Sequence, residues 1–134
     1  MRAVLDCNVL ISALLAPGGA PRQLLSRWRA GEFELVVSEK VLTELERALG
    51  YPKIAERIPP EDASDFIALL RRAAQWVRDP DAVVARSPDV DDDYLIALAE
   101  SQRAFLVSGD SHLLGLSHTL PVLSPREFLA RLDG

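Results

Sequence analysis

The sequence is poor in cysteine, lysine, histidine and aromatic residues, and it has no long apolar run. Its single cysteine, Cys7, excludes an internal disulfide framework and favours a reducing compartment. No apolar stretch approaches the roughly 20 residues that a helix needs to cross a bilayer. Asp6 and Asn8 interrupt the apolar N-terminal region, and signal peptides avoid such residues. We therefore expect a cytoplasmic protein with no membrane segment.

The length and the charge favour one ordinary globular unit. A chain of 134 residues supports one substantial core, so we predict a single domain spanning 1–134. The net charge of -5 gives no overall attraction to nucleic acid or to an anionic membrane. Of the 15 basic residues, only Lys40 and Lys53 are lysines, and arginine is the better partner for phosphate. Most surface charges only form ion pairs, so local basic patches stay an open alternative.

Apolar segments of strand length alternate with segments of helical periodicity. Gly31, Gly50 and the Pro59-Pro60 pair separate several of the helical segments. A capping box begins the last helix at Ser124, with Glu127 at its third helical position. Strands are expected at 2–5, 34–37, 76–78 or 82–85, 104–108 and 120–123. This alternation predicts the α/β class, as a three-layer α/β/α sandwich with a mostly parallel central sheet.

Acidic residues stand at the ends of several predicted elements. Asp6 ends the first strand, and Asp110 follows the strand at 104–108. Because parallel strands end at one edge of a sheet, these two carboxylates are expected to meet there. Further acids lie on the helix after the second strand and at the start of the helix before 104–108, namely Glu44, Glu46, Asp91, Asp92 and Asp93. Helical spacing does not choose between Glu44 and Glu46, or between Asp91 and Asp92.

Converging carboxylates predict a divalent-cation site. They repel one another unless a cation holds them, and oxygen-only clusters suit Mg²⁺ or Mn²⁺. Such ions activate water and stabilise the leaving oxygen of a phosphodiester. Each acid taken alone has an ordinary structural explanation, as a helix cap, a turn or a solvated charge. The interpretation of a cation site therefore depends on the occurrence of all these acids together, on alternating strands and helices.

The chain resembles the PIN-domain ribonucleases, in particular the toxin-like branch related to VapC toxins of toxin–antitoxin pairs. The resemblance covers essentially the whole length. It rests on the blocks VLDCNVLIS, VVSEKVLTEL, DDDYLIALA, FLVSGDSHLL and VLSPREFL, at 4–12, 36–45, 91–99, 105–114 and 122–129. Two positions depart from the family pattern, because Cys7 and Ser108 stand where threonine is frequent.

Carried over position by position, the resemblance implies roles for individual residues. The catalytic acids, which would also bind the metal, fall on Asp6, Glu44, Asp92 and Asp110, with Asp93 as a second-choice metal ligand. Polar residues that would support these acids fall on Asn8, Ser12 and Ser108. Contacts to the RNA backbone are expected from Arg22, Lys40 and Arg47, which lie near the relevant elements.

The implied function is Mg²⁺- or Mn²⁺-dependent hydrolysis of RNA phosphodiester bonds by the toxin of a toxin–antitoxin pair. The resemblance also implies a homodimer and an antitoxin protein that inserts a basic or apolar segment into the cleft. A non-catalytic module binding RNA or protein is the main alternative. A phosphotransferase of the haloacid-dehalogenase type is disfavoured, because it needs a second aspartate where Asn8 stands. His112 and His118 have no third nitrogen or thiolate ligand, so we expect surface or structural roles for them.

Overall fold

The structure is a computed structural model that describes residues 1–117 and 119–134. Its strands are β1 (Arg2–Leu5), β2 (Glu34–Val37), β3 (Gln75–Trp76), β4 (Phe105–Val107) and β5 (Val122–Leu123). Its helices are α1 (Cys7–Leu15), α2 (Ala20–Arg29), α3 (Glu39–Leu49), α4 (Pro52–Ala55), α5 (Pro60–Ala73), α6 (Val90–Ser101), α7 (Ser111–Leu114) and α8 (Pro125–Leu132). None of these helices is long and apolar enough to span a bilayer.

The five strands form one parallel sheet in the order β3-β2-β1-β4-β5. β1 is central, and its last residue, Leu5, pairs with Val107 of β4. From β1 the chain first builds one side of the sheet with β2 and β3, and then the other side with β4 and β5. Such a reversal of strand order opens a crevice at the carboxyl ends of the strands. Asp6 therefore follows β1 at the centre of this edge.

Helices cover both faces of the sheet, which confirms the predicted α/β sandwich. Alternate residues of β1 point to opposite faces, so Ala3 and Leu5 join one core while Val4 joins the other. The first core contains buried side chains of α1, α2, α3, α5 and α8. The second core is built mainly by α6, with Leu113 of α7. A strand buried on both faces reads as a continuous apolar run, as the sequence does here.

Three predicted helix boundaries are confirmed. Ser38 caps α3 by accepting a hydrogen bond from the backbone N–H of Val41 at 3.3 Å. Ser124 and Glu127 form the reciprocal capping box of α8. Gly31 follows α2 with a φ of 82°, a left-handed conformation that glycine adopts without a Cβ clash.

Two predicted strands differ from the structure. β3 lies at Gln75–Trp76, close to the first alternative, whereas the alternative at 82–85 is wrong. Val84 there is 62% exposed, so this apolar run never enters the sheet. The last strand is shorter than predicted, because Leu120 belongs to a turn and its N–H donates to the carbonyl of Leu116. Pro121 follows with no N–H to offer to a strand ladder.

Candidate active site

A cleft of about 230 Å³ opens at the carboxyl edge of the sheet, beside the start of α1 and between α3 and α6. Asn8 and Lys40 are among its polar lining residues. We call it the carboxylate cleft after the six acids that line it, Asp6, Glu44, Asp89, Asp91, Asp92 and Asp110. The structure thus brings together the four acids predicted to be catalytic, from four remote parts of the chain.

Chain direction explains why the start of α6 reaches this edge. α6 precedes β4, so it runs back across the sheet and begins where the parallel strands end. The aspartates at its start therefore join Asp6 and Asp110 rather than the opposite edge. Asp91 is exposed at the cleft, whereas Asp92 is only 8% exposed. Helical spacing could not choose between Asp91 and Asp92, and both of them line the cleft.

Helix capping holds three of the carboxylates in place. Asp6, Asp89 and Asp110 are the N-caps of α1, α6 and α7. Each side chain accepts a hydrogen bond from the backbone N–H two residues later, at 3.2, 2.8 and 2.7 Å respectively. Aspartate is a preferred N-cap because its oxygen satisfies an otherwise unpaired N–H group. Local capping chemistry therefore fixes these carboxylates at the cleft.

Ser108 connects two of the acids. Its buried hydroxyl donates to Oδ2 of Asp6 at 2.9 Å and accepts a hydrogen bond from the backbone N–H of Asp110 at 3.0 Å. A serine between β4 and α7 therefore orients the carboxylate that ends β1. This contact is the one expected of a supporting residue, while a role beside a metal ligand stays a prediction.

Burial and mutual repulsion change the acidity of the cleft. Burial raises the pKa of Asp92 to about 6, with further contributions from the negative charges of Asp89, Asp110, Asp6 and Asp91. Burial also raises the pKa of Asp6, assisted by Asp110 and Asp89 and opposed by the hydrogen bonds from Ser108 and from the backbone of Asn8. Burial and mutual repulsion therefore disfavour the ionised forms of Asp92 and Asp6.

The thiol of Cys7 lines the same cleft, and its pKa is raised to about 12. Burial is the main cause, and the charges of Asp6, Glu44 and Asp91 add to it. Because the thiolate is the nucleophilic and metal-binding form, the raised pKa disfavours both roles for Cys7. The chemistry of the cleft is consequently that of oxygen donors.

Of the three cations predicted to contact RNA, one lines the cleft and a second is paired with one of its acids. Lys40 lines it and is exposed to solvent. Arg47 is paired with Glu44, three residues earlier on α3, and its hydrogen bond to Glu44 is the main cause of a raised pKa at Arg47, with the negative charge of Glu44 second. Glu44 lines the cleft whereas Glu46 pairs with Arg71, so the structure distinguishes these two glutamates.

Arg22 and Ser12 are not brought into the cleft. Arg22 lies in a separate groove beside α2 and α5, where its guanidinium donates to the carbonyls of Ala13 and Leu14 at 2.5 and 3.4 Å. It therefore closes the end of α1 instead of facing the acids. Ser12 lies on α1 one turn beyond Asn8 and is not among the residues that line the cleft in the described chain. Proximity in sequence to an element of the cleft therefore did not place either residue in its lining, while their predicted roles stay predictions.

Asp93 points away from the other acids. It is 3% exposed, and its Oδ1 accepts hydrogen bonds from the backbone N–H of Arg86 at 2.9 Å and from the hydroxyl of Ser87 at 3.0 Å. Successive residues of a helix are turned by about 100°, so Asp93 faces about 200° away from Asp91, while Asp91 and Asp92 both line the cleft. The structure therefore gives Asp93 a structural role, holding the segment before α6.

Sequence reasoning missed Asp89 and Tyr94. Asp89 was detectable, because an aspartate before an apolar helical segment is a typical N-cap. Tyr94 was not, because its partners Ser38 and Asp79 are 56 and 15 residues away in sequence. His112 is exposed at the surface, and His118 lies outside the described residues.

The cleft offers the donor chemistry that a hard divalent cation prefers. Within residues 1–117 and 119–134, no group of three or more acidic, histidine or cysteine side chains is arranged to hold a metal ion as it stands. Its six acids nevertheless offer carboxylate oxygens, and burial, with the repulsion between these acids, raises the pKa of Asp92. Oxygen donors with a surplus of negative charge are what Mg²⁺ and Mn²⁺ require. The residues therefore fit such an ion.

An α/β sandwich with an acidic cleft beside its central strand defines a class of protein, and comparisons identify the family. A model described as "PIN domain" matches residues 2–112. An uncharacterised protein of Methanocaldococcus jannaschii, MJ1680, is 24% identical over 143 residues, covering 99% of this chain and 92% of that protein. The chain belongs to the PIN domain family.

Two solved structures share the fold. PAE2754 from Pyrobaculum aerophilum superposes with a TM-score of 0.68 at 20% identity, covering 99% of this chain and 90% of that chain. VapBC2 from Rickettsia felis, bound to a DNA fragment from its promoter, gives a TM-score of 0.64 at 13% identity, covering 92% and 98%. At these identities the likeness establishes the fold and not the activity.

Proposed function

We propose that this protein is a metal-dependent endoribonuclease, that 1–134 acts as one PIN domain, and that it works in the cytoplasm. PIN domains are generally nucleases, which supports the reaction class. The observation that carries the proposal is the convergence of six carboxylates in one cleft, with too few cations of the protein to balance them. RNA as the substrate comes from the resemblance to the toxin-like ribonucleases.

In this proposal Asp6, Glu44, Asp92 and Asp110 hold one or two Mg²⁺ or Mn²⁺ ions. The bound ion would supply an activated water and neutralise the charge that develops on the phosphate. Asp6 is kept oriented by the hydroxyl of Ser108. Glu44, which pairs with Arg47 in the structure, would help to hold the ion, and the guanidinium would then be free to face RNA. The backbone caps at Asp6 and Asp110 limit the reorganisation that ion binding costs.

We further propose that the protein is the toxin of a toxin–antitoxin pair, a homodimer inhibited by an antitoxin. The sequence resemblance to VapC toxins and the shared fold with VapBC2 support this assignment. A non-catalytic module that binds RNA or protein through the same fold remains the alternative function. The complete set of four predicted acids in one cleft disfavours it, because a binding module has no need to keep repelling charges together.

Incubation of the protein with a mixed RNA pool tests this function. With Mg²⁺ or Mn²⁺ present, we expect discrete cleavage products, and with EDTA we expect none. An Asp6→Asn variant keeps the size of the side chain and one oxygen acceptor, but it removes the charge that attracts the ion. We expect this variant to fold and to leave the RNA intact.

Two outcomes would reject the nuclease. Equal RNA binding with and without Mg²⁺, together with no cleavage by the wild type, would favour the non-catalytic module. Undiminished cleavage by Asp6→Asn would show that the activity comes from elsewhere. An Asp62→Asn variant is the matched control, because Asp62 borders the separate groove beside α2 and α5.

A further inference from the structure

Tyr94 is held by hydrogen bonds to two distant parts of the chain. Its ring lines the carboxylate cleft, and the residue is only 6% exposed. Its hydroxyl donates to the carboxylate of Asp79 and lies 2.5 Å from Oγ of Ser38. Since a carboxylate only accepts, the phenol proton points to Asp79 and the Ser38 hydroxyl donates to the phenol oxygen.

This hydrogen-bond chain links three parts of the fold. The backbone N–H of Val41 donates to the Ser38 hydroxyl, the Ser38 hydroxyl donates to Tyr94, and Tyr94 donates to Asp79. The start of α3, the segment before α6 and α6 itself are thereby tied together. Hydrogen bonds in such a chain polarise one another, so the arrangement is stiffer than its separate pairs. Tyr94 therefore presents its ring to the cleft in a fixed orientation.

The ammonium group of Lys40 lies over the ring of Tyr94. The Nζ atom lies 4.3 Å from the ring centroid, within the range of a cation–π interaction. Donation of the phenol proton to the Asp79 carboxylate increases the electron density of the ring and strengthens this attraction. No ion pair among residues 1–117 and 119–134 includes Lys40, whereas Arg47 is occupied by Glu44.

Among the described residues that line the carboxylate cleft, Lys40 is the one that carries a positive charge. Six carboxylates surround the cleft, and an unrestrained ammonium would pair with one of them. The ring of Tyr94 instead keeps the ammonium apart from these acids and exposed to solvent. An ammonium group held in this way is suited to bind a phosphate oxygen as a point charge.

We infer that Tyr94 is a positioning residue, whose ring holds the Lys40 ammonium where it binds a backbone phosphate of RNA next to the carboxylates. The inference rests on the proposed function, because it takes RNA as the ligand of the cleft. It adds to the proposed function by giving Lys40 and Tyr94 a joint role in binding one phosphate. Tyr94 contacts no reacting atom in this arrangement and acts only through Lys40.

Fluorescence anisotropy measures the binding of a short, fluorescein-labelled, single-stranded RNA in the presence of Ca²⁺. This measurement tests the joint role of Lys40 and Tyr94 separately from cleavage. We expect Lys40→Ala to raise the Kd about fivefold, the size of one charge contact. The slope of log Kd against log salt is expected to fall by about 0.7, as for one lost phosphate contact on a single strand. Lys53→Ala is the matched control, because it removes the chain's other lysine at an exposed site on α4.

Variants of Tyr94 separate positioning from folding. Tyr94→Phe loses the hydrogen-bond chain but keeps the ring, so we expect lower stability and a Kd between those of the wild type and Lys40→Ala. Tyr94→Leu loses the ring, and we expect its Kd and salt slope to match those of Lys40→Ala. The double variant Lys40→Ala/Tyr94→Leu is expected to bind RNA like Lys40→Ala alone, because each single change removes the same phosphate contact.

A measurement on the wild type avoids dependence on the folding of Tyr94→Leu. After reductive ¹³C-methylation, the two lysines give separate NMR signals, and the Lys40 signal should be shifted upfield by the Tyr94 ring and should move when RNA is added. Equal shifts for Lys40 and Lys53 would overturn the inference, as would an unchanged Kd in Lys40→Ala or independent effects in the double variant. Metal-dependent cleavage by the wild type alongside any of these results would leave the proposed nuclease intact. Lys40-dependent RNA binding without cleavage would instead reject only the nuclease.

Discussion

Replacing Asp92 by asparagine is expected to lower the rate of metal-dependent RNA cleavage at least a hundredfold, or by about 2.7 kcal/mol of transition-state stabilisation. The asparagine keeps the shape of the side chain but removes a charge that attracts the ion. Asp92 lines the cleft with the other acids and is nearly buried, so solvent screens the attraction between its charge and the ion only weakly. Single-turnover cleavage at saturating Mg²⁺ measures the effect.

The adjacent aspartate provides the control. Asp93→Asn makes the same chemical change one residue further along α6, at a side chain that faces Arg86 and Ser87. We expect it to keep wild-type cleavage while the free energy of unfolding falls by about 1–2 kcal/mol, because a buried charged acceptor is weakened. Equal losses of activity in the two variants would mean that the cleft geometry is wrong.

The stability of the metal-free protein is expected to depend on pH through Asp92. Its pKa of about 6 in the folded protein exceeds the ordinary value of 3.8, so between these pH values the folded state binds more protons than the unfolded state. The contribution of Asp92 to the free energy of unfolding therefore falls as pH rises from about 4 to about 6. Asp6, with its raised pKa, acts in the same direction.

Metal reverses this dependence. A divalent ion at 100 times its Kd adds about 2.7 kcal/mol to the free energy of unfolding. We expect this gain at pH 7.5, where the carboxylates are ionised, and little of it at pH 5, where protons compete with the ion. Urea unfolding at both pH values, with Mg²⁺ and with EDTA, measures the difference. Comparison with Asp92→Asn isolates the contribution of this residue to the pH dependence of the free energy of unfolding. The same pH dependence in the wild type and in Asp92→Asn would contradict a raised pKa at Asp92.

Much of the fold was predictable because the local signals are strong. The apolar runs of β1 and β2, the cap at Ser38 and the capping box at Ser124 each depend on a few neighbouring residues, and each is present in the structure. β3 was less predictable. Its two residues pair with β2, and an apolar run at 82–85 was an equally good sequence candidate that the structure leaves exposed.

The composition of the site was predictable only in part. Asp6 and Asp110 follow from the rule that parallel strands end at one edge, and their placement in one cleft agrees with it. The direction of Asp92 and Asp93 depends on how α6 is rotated against the sheet, which the spacing of its apolar residues did not determine. The hydrogen bonds of Tyr94 and the position of Arg22 depend on tertiary contacts, so no local pattern could reveal them.

We propose that Asp6, Glu44, Asp92 and Asp110 bind one divalent-cation centre together. Titration with Mn²⁺, followed by electron paramagnetic resonance of the free ion, tests it without any substrate. We predict saturable binding to the wild type, with affinity lowered about tenfold or more in Asp6→Asn and in Asp92→Asn, and unchanged in Asp93→Asn. Equal Mn²⁺ affinity in all four proteins would contradict the account.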